Sequence, residues 1–357
     1  MAITAAMVKE LREMTGAGMM ECKKALTETD GNIDEAVEVL RKSGAAKAEK
    51  KASRIAAEGI CRIAINGNRA AVAEVNSETD FVAKNEVFQT FVQAVADKAL
   101  ASGIEKAGDG EDVSEILGMK EELNEKTLTI GEKLSIRRFE SVSAECVASY
   151  IHAGGKIGVL VAANGDASDE TKTALTNLAM QIAAMSPKYI SRNDISAEEL
   201  AKLREITLES SLNDPFSLPK PILQGLLEKA VSGVWSEEDV AIYNEKKSNM
   251  NYLPNFLSKE AAAQLASLAL EDKEAISGNK IFTGLVDGRI SKHLKEICLL
   301  DQTYVKAEDG KQTVAAYLAS VNKAIVIEKI VRFEVGEGME KKEENFAEEV
   351  AKQMAEN

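Results

Sequence analysis

The chain has 357 residues, 45% of them hydrophobic and 29% charged, which is typical of a folded protein with roughly two or three domains and excludes a disordered chain. Its formal net charge of −14 argues against a broad nucleic-acid-binding surface, because Lys and Arg beside phosphates supply most of that affinity. No apolar run approaches membrane-spanning length. We therefore expect a protein partner, no direct nucleic-acid contact and no membrane association.

The composition also predicts the fold class and the cellular setting. Ala, Glu, Lys and Leu favour helix, while Val and Ile cluster in a few short segments that predict strands, so the expected class is α+β. Charges at positions 9, 10, 12 and 13 predict an amphipathic first helix rather than a signal peptide. The cysteines form no Cys-x-x-Cys pair or disulfide framework; they are Cys22, Cys61, Cys146 and Cys298. These features favour a reducing, cytoplasmic setting.

Residues 1–44 predict a compact unit of three small helices. Apolar residues repeat at helical spacing on both sides of a glycine-rich turn at 15–20, and the second helix is expected to begin at Met19. That turn lacks the Gly-Lys-Ser/Thr ending of a phosphate-binding loop. The Ala/Lys-rich segment 45–54 has little to bury and predicts a helical or flexible linker.

After the linker, the sequence predicts a hairpin, helices and a third strand. Residues 60–65 and 71–76 predict strands around Asn66-Gly67, a dipeptide typical of two-residue turns. The remaining predicted elements are a helix through Val87 and Val95, a helical stretch at about 111–125, and a strand at 134–142.

The segment 76–85 is where this hairpin ends and a helix begins. Thr79, Asp80 and Asn85 have side chains that accept hydrogen bonds from the unpaired N–H groups of a helix start, so we expect a strand, a tight turn and a helix. Phe81 lies at this junction. The pattern alone favours a phenylalanine packed in its own core, and the alternative is an exposed side chain presented by a rigid turn.

A second hairpin, helix and strand follow in the same order. The predicted elements are strands at 146–152 and 157–163 around Gly154-Gly155, a helix through Leu175 and Met185, and a delayed last strand at 330–335. Arg332-Phe333-Glu334 repeats Arg138-Phe139-Glu140. The matching element order, more than this short repeat, indicates an internal duplication. The intervening chain is mainly helical, opens with the capping box Ser196-x-x-Glu199 and holds four of the five prolines, as expected of an inserted module. A final helix is expected around 346–354.

No motif for covalent catalysis is present in the sequence. His152 and His293 are far apart and neither is paired with a Cys or Ser nucleophile, so a catalytic triad is unsupported. The 58 acidic residues are best explained as solvated faces, and an Asp/Glu hydrolase is not indicated. The glycine-rich segment 154–158 fits a hairpin turn better than a nucleotide site, because no helix N-terminus follows it. We expect no catalytic residue, no cofactor and no metal site.

Three blocks of sequence stand out, in order along the chain. They are residues 8–12 with 15–20 and 22–26, then Thr79-Asp80-Phe81-Val82-Ala83-Lys84-Asn85, then Arg332-Phe333-Glu334-Val335-Gly336-Glu337-Gly338. With support from segments 152–161 and 296–302, the sequence resembles the bacterial elongation factor Ts family, the guanine nucleotide exchange factors of elongation factor Tu. The resemblance extends over about residues 1–211 and 279–357. The segment 212–278 lies outside it.

The resemblance implies a domain organisation. It comprises a three-helix, ubiquitin-associated-like N-terminal domain, a core of two duplicated subdomains that each have a small antiparallel sheet plus helices, an inserted helical, coiled-coil-type excursion, and a C-terminal module that docks on the partner. The expected segments are 1–44 for the N-terminal domain, 45–55 for a linker, 56–143 for the first subdomain, 144–195 and 300–338 for the second, 196–299 for the excursion (enlarged at about 212–278), and 339–357 for the C-terminal helical module. Whether the excursion mediates self-association stays open.

The resemblance also implies a function: binding to elongation factor Tu in its GDP-bound and nucleotide-free forms, and promotion of GDP release without covalent chemistry. The residues implied to bind the partner and dislocate its Mg²⁺ are Thr79, Asp80, Phe81 and Val82. Further implied partner contacts are Arg12, Met19, Met20 and His152. Ser77 stands where the family often has cysteine, a change with little expected effect. The rival expectation is a helical scaffold or chaperone-like protein that binds without causing nucleotide release.

Overall fold

In the computed structural model of this protein, residues 3–108 and 112–340 are described. The chain divides into two compact units, one that runs to Ser186 and resumes at Tyr304, and one that comprises Pro187–Thr303. Among the described residues, the first unit holds both β-sheets and the second is helical. The predicted α+β class is confirmed.

Three helices open the first unit: α1 (Ala5–Thr15), α2 (Met19–Glu28) and α3 (Ile33–Lys51). Thr4 caps α1 by accepting a hydrogen bond from the Met7 N–H group, and Gly16 ends that helix with a φ of 66°. Buried apolar side chains from all three helices share one core, which defines the N-terminal bundle. Helix α3 continues through residues 45–51, the first part of the predicted linker.

The next elements form the first sheet and the helices around it. They are β1 (Glu58–Asn66), β2 (Arg69–Ser77), α4 (Asp80–Ala83), α5 (Glu86–Ser102), β3 (Lys106–Ala107), α6 (Lys120–Ile130) and β4 (Ser135–Ser143). The strand order is β1-β2-β4-β3, and α5 packs against β1 and β2 over a shared apolar core. The turn between β1 and β2 is Gly67-Asn68, one residue later than predicted, because Asn66 still pairs with Arg69. Gly67 has a φ of 60°, at the position where a type II′ turn requires glycine.

The helix predicted at about 111–125 is wrong in position, because α6 begins at Lys120 and ends at Ile130. The residues just before α6 form turns instead. The Val113 N–H group donates to the Ile136 carbonyl of β4 at 2.8 Å, and Gly118 has a φ of 64°. A backbone paired with a strand and then turned to positive φ does not continue a helix.

The second half of the first unit begins with β5 (Cys146–His152), β6 (Ile157–Asn164) and α7 (Asp169–Met185). The hairpin turn contains Gly154, as predicted, and Ser168 caps α7 by accepting a hydrogen bond from the Thr171 N–H group. Helix α7 packs against both strands of its hairpin, as α5 does in the first sheet.

The second unit contains α8 (Ala197–Asn213), α9 (Lys220–Gly233), α10 (Glu237–Lys246), α11 (Lys259–Glu271), α12 (Lys273–Ser277) and α13 (Lys280–Ile297). The predicted capping box at Ser196 is confirmed. Buried residues from α8, α9, α11, α12 and α13 form one core, so the packing goes beyond the two-helix seam of a coiled coil. Asp239 fastens two helix starts, because its carboxylate accepts hydrogen bonds from the Ser258 N–H group at 2.9 Å and from the hydroxyls of Ser258 and Ser236.

The chain then returns to the first unit with α14 (Val314–Val321) and β7 (Val326–Glu334). Strand β7 joins the outer side of β6, giving the order β5-β6-β7 and the predicted sequence of hairpin, helix and strand in both halves. The three-residue repeat does not fall at matching positions, since Arg138 pairs with Glu74, the sixth residue of β2, and Arg332 pairs with Val159, the third of β6. Element order, rather than that repeat, relates the two sheets.

A buried charge joins the two sheets. Glu74 of β2 is fully buried and its carboxylate receives hydrogen bonds from Arg137 Nη1 at 2.9 Å, Arg138 Nε at 2.5 Å and the Gly336 N–H group at 2.9 Å. Arg138 also donates to the Glu334 carbonyl at the end of β7, at 3.0 Å. The segment that follows β7 is thereby fixed against the first sheet.

The final helix predicted around 346–354 lies outside the described residues, as does nearly all of the predicted module at 339–357. Within the described part of the chain, no helix is both long and apolar enough to cross a membrane.

Candidate functional site

The junction between β2 and α4 presents one large apolar side chain to solvent. Phe81 is 78% exposed, while its neighbours Val82 and Ala83 are buried in the core of the first sheet. Thr79 caps α4, since its hydroxyl oxygen accepts a hydrogen bond from the Val82 N–H group at 3.5 Å. The interpretation of Phe81 as a core residue is therefore wrong. Phe81 is thus an exposed apolar side chain on a backbone that Val82 and Ala83 anchor in the core.

A pair of glutamates holds the turn that precedes Phe81. The Glu132 carboxylate accepts hydrogen bonds from the N–H groups of Glu78 and Thr79, at 3.1 and 3.0 Å, and from the Thr79 hydroxyl at 2.7 Å. In return the Glu78 carboxylate accepts from the Lys133 N–H group at 2.5 Å. The bonds to Glu132 satisfy N–H groups that the strand-to-helix turn leaves unpaired, and the bond to Glu78 does the same in the turn between α6 and β4.

Asp80 has a different role from the capping role expected of it. Its carboxylate forms an ion pair with Lys84, one helical turn later, at 2.8 Å. The Lys84 hydrogen bond is the main reason why the pKa of Asp80 lies below its ordinary value, and the more distant charge of Lys156 adds to the effect. The Lys84 ammonium also lies 5.7 Å from the centre of the Phe81 ring. The apolar ring is thus bordered by one acidic and one basic group.

The start of α5 completes the junction. Asn85 caps that helix, because its side-chain oxygen accepts hydrogen bonds from the N–H groups of Val87 at 2.8 Å and Phe88 at 3.4 Å. Phe88 is fully buried. The predicted capping roles of Thr79 and Asn85 are confirmed, and Phe81 is held between two capped helix starts.

The hairpin of the second sheet lies beside this junction. Arg62 of β1 donates to the Gly154 carbonyl at 3.4 Å, and Lys156 forms an ion pair with Glu58 at the start of β1. His152 is the last residue of β5 and is exposed, with its Nδ1 3.1 Å from the Tyr150 hydroxyl. His152 therefore belongs to the hairpin that packs against β1.

The other residues that the resemblance implies as partner contacts lie in the N-terminal bundle. Met19 and Met20 open α2 and are 61% and 76% exposed. Arg12 is exposed in the last turn of α1, and its carbonyl accepts the hydrogen bond from the Gly16 N–H group that ends the helix. The turn between α1 and α2 therefore brings these three residues onto one end of the bundle.

The histidine and cysteine side chains of the described residues do not form a metal-binding cluster. Across segments 3–108 and 112–340, no group of three or more His, Cys, Asp or Glu side chains could hold a metal ion. His293 lies on α13 of the second unit, whereas His152 is in the first. Burial raises the pKa of the Cys61 thiol, which disfavours the nucleophilic thiolate form.

Comparison with known proteins decides the family. The profile of the family described as Elongation factor TS matches residues 78–268 and 254–337. Elongation factor Ts of Clostridioides difficile (strain 630) is 43% identical over an alignment of 366 positions, which covers 99% of each protein. The chain belongs to the elongation factor Ts family. Both matches extend through segment 212–278, so the similarity to the elongation factor Ts family includes this part of the chain.

Sequence reasoning missed the residues that support the junction in this elongation factor Ts family member. Glu132 and Lys133 follow α6, more than fifty residues after Thr79, and belong to no motif. The available signal was indirect, because the turn after β2 needs acceptors for its N–H groups. The sequence does not say which carboxylate supplies them.

Proposed function

We propose that this chain is a guanine nucleotide exchange factor in translation elongation. It binds elongation factor Tu carrying GDP, dislocates the Mg²⁺ of the partner's nucleotide site and promotes GDP release, so that GTP can rebind to the nucleotide-free form. The activity takes place in the cytoplasm and involves no covalent step. The observation that carries this proposal is the 78% exposure of Phe81 on a doubly capped junction.

The physical argument rests on the coordination of Mg²⁺. This ion demands near-octahedral geometry, so a small shift of the loops that bind it costs much of its affinity. Burial of the Phe81 side chain in a partner pocket would contribute about 1.5–3 kcal/mol, and that energy is available only if the pocket opens. Because coupling between sites is reciprocal, a factor that weakens GDP binding is itself released when nucleotide rebinds.

We assign the partner contacts to two surfaces. Thr79, Asp80, Phe81 and Val82 act at the nucleotide site, with Thr79 fixing the turn and Val82 anchoring it in the core. Arg12, Met19 and Met20 form a second contact from the N-terminal bundle, and His152 extends the first contact from the neighbouring hairpin. Exposed methionines suit such a role, because their flexible side chains adapt to a partner surface.

The test is Phe81→Ala in a stopped-flow measurement of labelled GDP release from elongation factor Tu. We expect the variant to lose most of the stimulation while its free energy of unfolding changes by only about 0.5 kcal/mol, because the side chain is exposed. Ile65→Ala, which removes an exposed apolar side chain from β1, is the matched control and should keep full activity.

Two results would contradict the proposal. Undiminished stimulation by Phe81→Ala would exclude a role for Phe81 in opening the partner's nucleotide site. A wild-type protein that binds elongation factor Tu without accelerating GDP release would favour a non-exchanging binder. A loss of about 3–5 kcal/mol of stability in Phe81→Ala would instead indicate a buried side chain.

A further inference from the structure

The turn that follows α6 contacts two separate parts of the chain, the junction at 78–79 and the segment 51–54. Glu132 binds the junction through Glu78 and Thr79, as described above. The Lys133 ammonium donates to the carbonyls of Ala52 and Arg54, at 2.6 and 2.8 Å. Lys51, the last residue of α3, donates to the Gly131 carbonyl. The turn 131–133 is therefore fixed by the end of α3 and the residues that follow it, and it binds the junction in turn.

The base of this turn is itself well supported. Helix α6 packs against α3, and Leu128 of α6 packs against the core of the N-terminal bundle. Arg54 closes the arrangement by pairing with Glu78 at 3.2 Å. Glu132 is half-buried, unlike most carboxylates in this acidic chain. Its carboxylate therefore has a fixed position relative to the junction.

Glu132 also decides which way the Thr79 hydroxyl points. A hydroxyl has one hydrogen to donate, and at Thr79 that hydrogen goes to Glu132 at 2.7 Å. The oxygen lone pairs are then left to accept from the Val82 N–H group, which is the capping bond of α4. Phe81 lies between those two residues in the sequence, so its direction depends on the backbone that both bonds fix.

We infer that Glu132 is a positioning residue for nucleotide exchange: it sets the direction of Phe81 by fixing Thr79 and the turn before α4. This inference rests on the proposed exchange function. Glu132 lies outside the four residues that we assign to the partner's nucleotide site, and it acts through Phe81 rather than by touching the nucleotide. Its effect is one of preorganisation, because a Phe81 side chain whose direction is not fixed would lose part of its binding energy to the entropy cost of ordering.

The variant Glu132→Gln tests this role with nearly the same side-chain volume. The amide can accept at one position only, and its NH₂ group would face donors that now meet a carboxylate oxygen. We expect the maximal rate of GDP release at saturating factor to fall about tenfold, with a smaller change in the concentration giving half of that rate. Glu121→Gln, at an exposed glutamate of α6, the helix that precedes Glu132, is the control and should leave the rate unchanged.

A double-mutant cycle separates positioning from general loss of structure. If Glu132 acts through Phe81, Glu132→Gln should cause no further loss in a Phe81→Ala background, whereas independent effects would multiply. Hydrogen exchange of the free protein should show faster exchange at residues 78–82 in Glu132→Gln and not in Glu121→Gln. Multiplying losses, or a full rate in Glu132→Gln, would overturn the positioning role alone. A wild-type protein that fails to stimulate GDP release would overturn the proposed function, and the inference with it.

Discussion

Replacing Glu74 by Gln should destabilise the first unit more than any loss of a surface ion pair. The change keeps the side-chain shape but removes the negative charge that two guanidinium groups share. The Arg137 and Arg138 side chains are only 13% and 19% exposed, so neither can regain full hydration. Removing one partner of a buried pair typically costs about 3–5 kcal/mol, because the remaining charge is left uncompensated.

The magnitude at this site follows from the contacts that remain. Glu337 still pairs with Arg138 at 3.2 Å, which offsets part of the loss, but its side chain is 53% exposed and such a pair contributes at most about 1 kcal/mol. Two charge-assisted hydrogen bonds to Glu74 weaken, at about 1.5–3 kcal/mol each. We expect a net loss of about 3–5 kcal/mol, a large part of the usual 5–15 kcal/mol of a folded domain.

Urea unfolding followed by far-UV circular dichroism measures this loss. Glu28→Gln is the control, because Glu28 pairs with Lys24 on an exposed face and its change should stay within about 0.5 kcal/mol. If the free energy of unfolding of Glu74→Gln is within about 1 kcal/mol of the wild-type value, the contact between the sheets does not depend on this charge, and the reasoning from burial is refuted.

Two further predictions concern a glycine and a buried carboxylate. Gly59 of β1 has a φ of 134°, and a Cβ added there would lie 2.1 Å from a carbonyl oxygen of β2. Gly59→Ala should therefore lower the free energy of unfolding by about 3–5 kcal/mol in the same urea assay. Gly67→Ala is the comparison, because Gly67 has a φ of 60° but open space around it, and should cost about 1–2 kcal/mol. Hydrogen bonds, led by the one from the Ser258 N–H group, hold the pKa of Asp239 below its ordinary 3.8. A carboxylate whose pKa is lower in the folded state stabilises that state fully when the pH is above its pKa in the unfolded chain. This stabilisation is lost as the pH falls through its pKa in the folded protein. Asp239→Asn should therefore lower the unfolding midpoint, followed by fluorescence of the single Trp235, at pH 7 and have a shrinking effect below about pH 4; an effect that is equal at both pH values would contradict the argument.

The sequence was most informative where one local rule decides the structure. The capping box at Ser196, the start of α2 at Met19 and the strand Cys146–His152 all follow from short-range patterns, and all three are present. Element order in the two halves was also predictable, because hairpins and amphipathic helices have strong periodic signals. Local patterns failed before α6, where pairing of Val113 with β4 overrides helical propensity.

The helix caps at the candidate site were predictable, but the burial of its side chains was not. Helix-capping chemistry located Thr79 and Asn85 correctly, and the family resemblance singled out Phe81. The pattern could not decide whether Phe81 is buried, because that depends on which neighbours fill the core, and Val82 and Ala83 do so. Nor could it find Glu132, since contacts between residues distant in sequence leave no local signal.

The position of the second unit between α7 and β7 has a consequence for biosynthesis. Strand β6 can pair with β5 of its own hairpin as soon as both are made. Its other neighbour, β7, is made much later, since Asn164 pairs with Val326. At roughly 5–20 residues per second, a ribosome needs on the order of ten to thirty seconds to make the intervening chain. Until then the outer edge of β6 is an unpaired, apolar template for any strand it meets. The ribosome thus makes the whole second unit before it makes β7, and during that time the nascent chain carries the unpaired edge of β6.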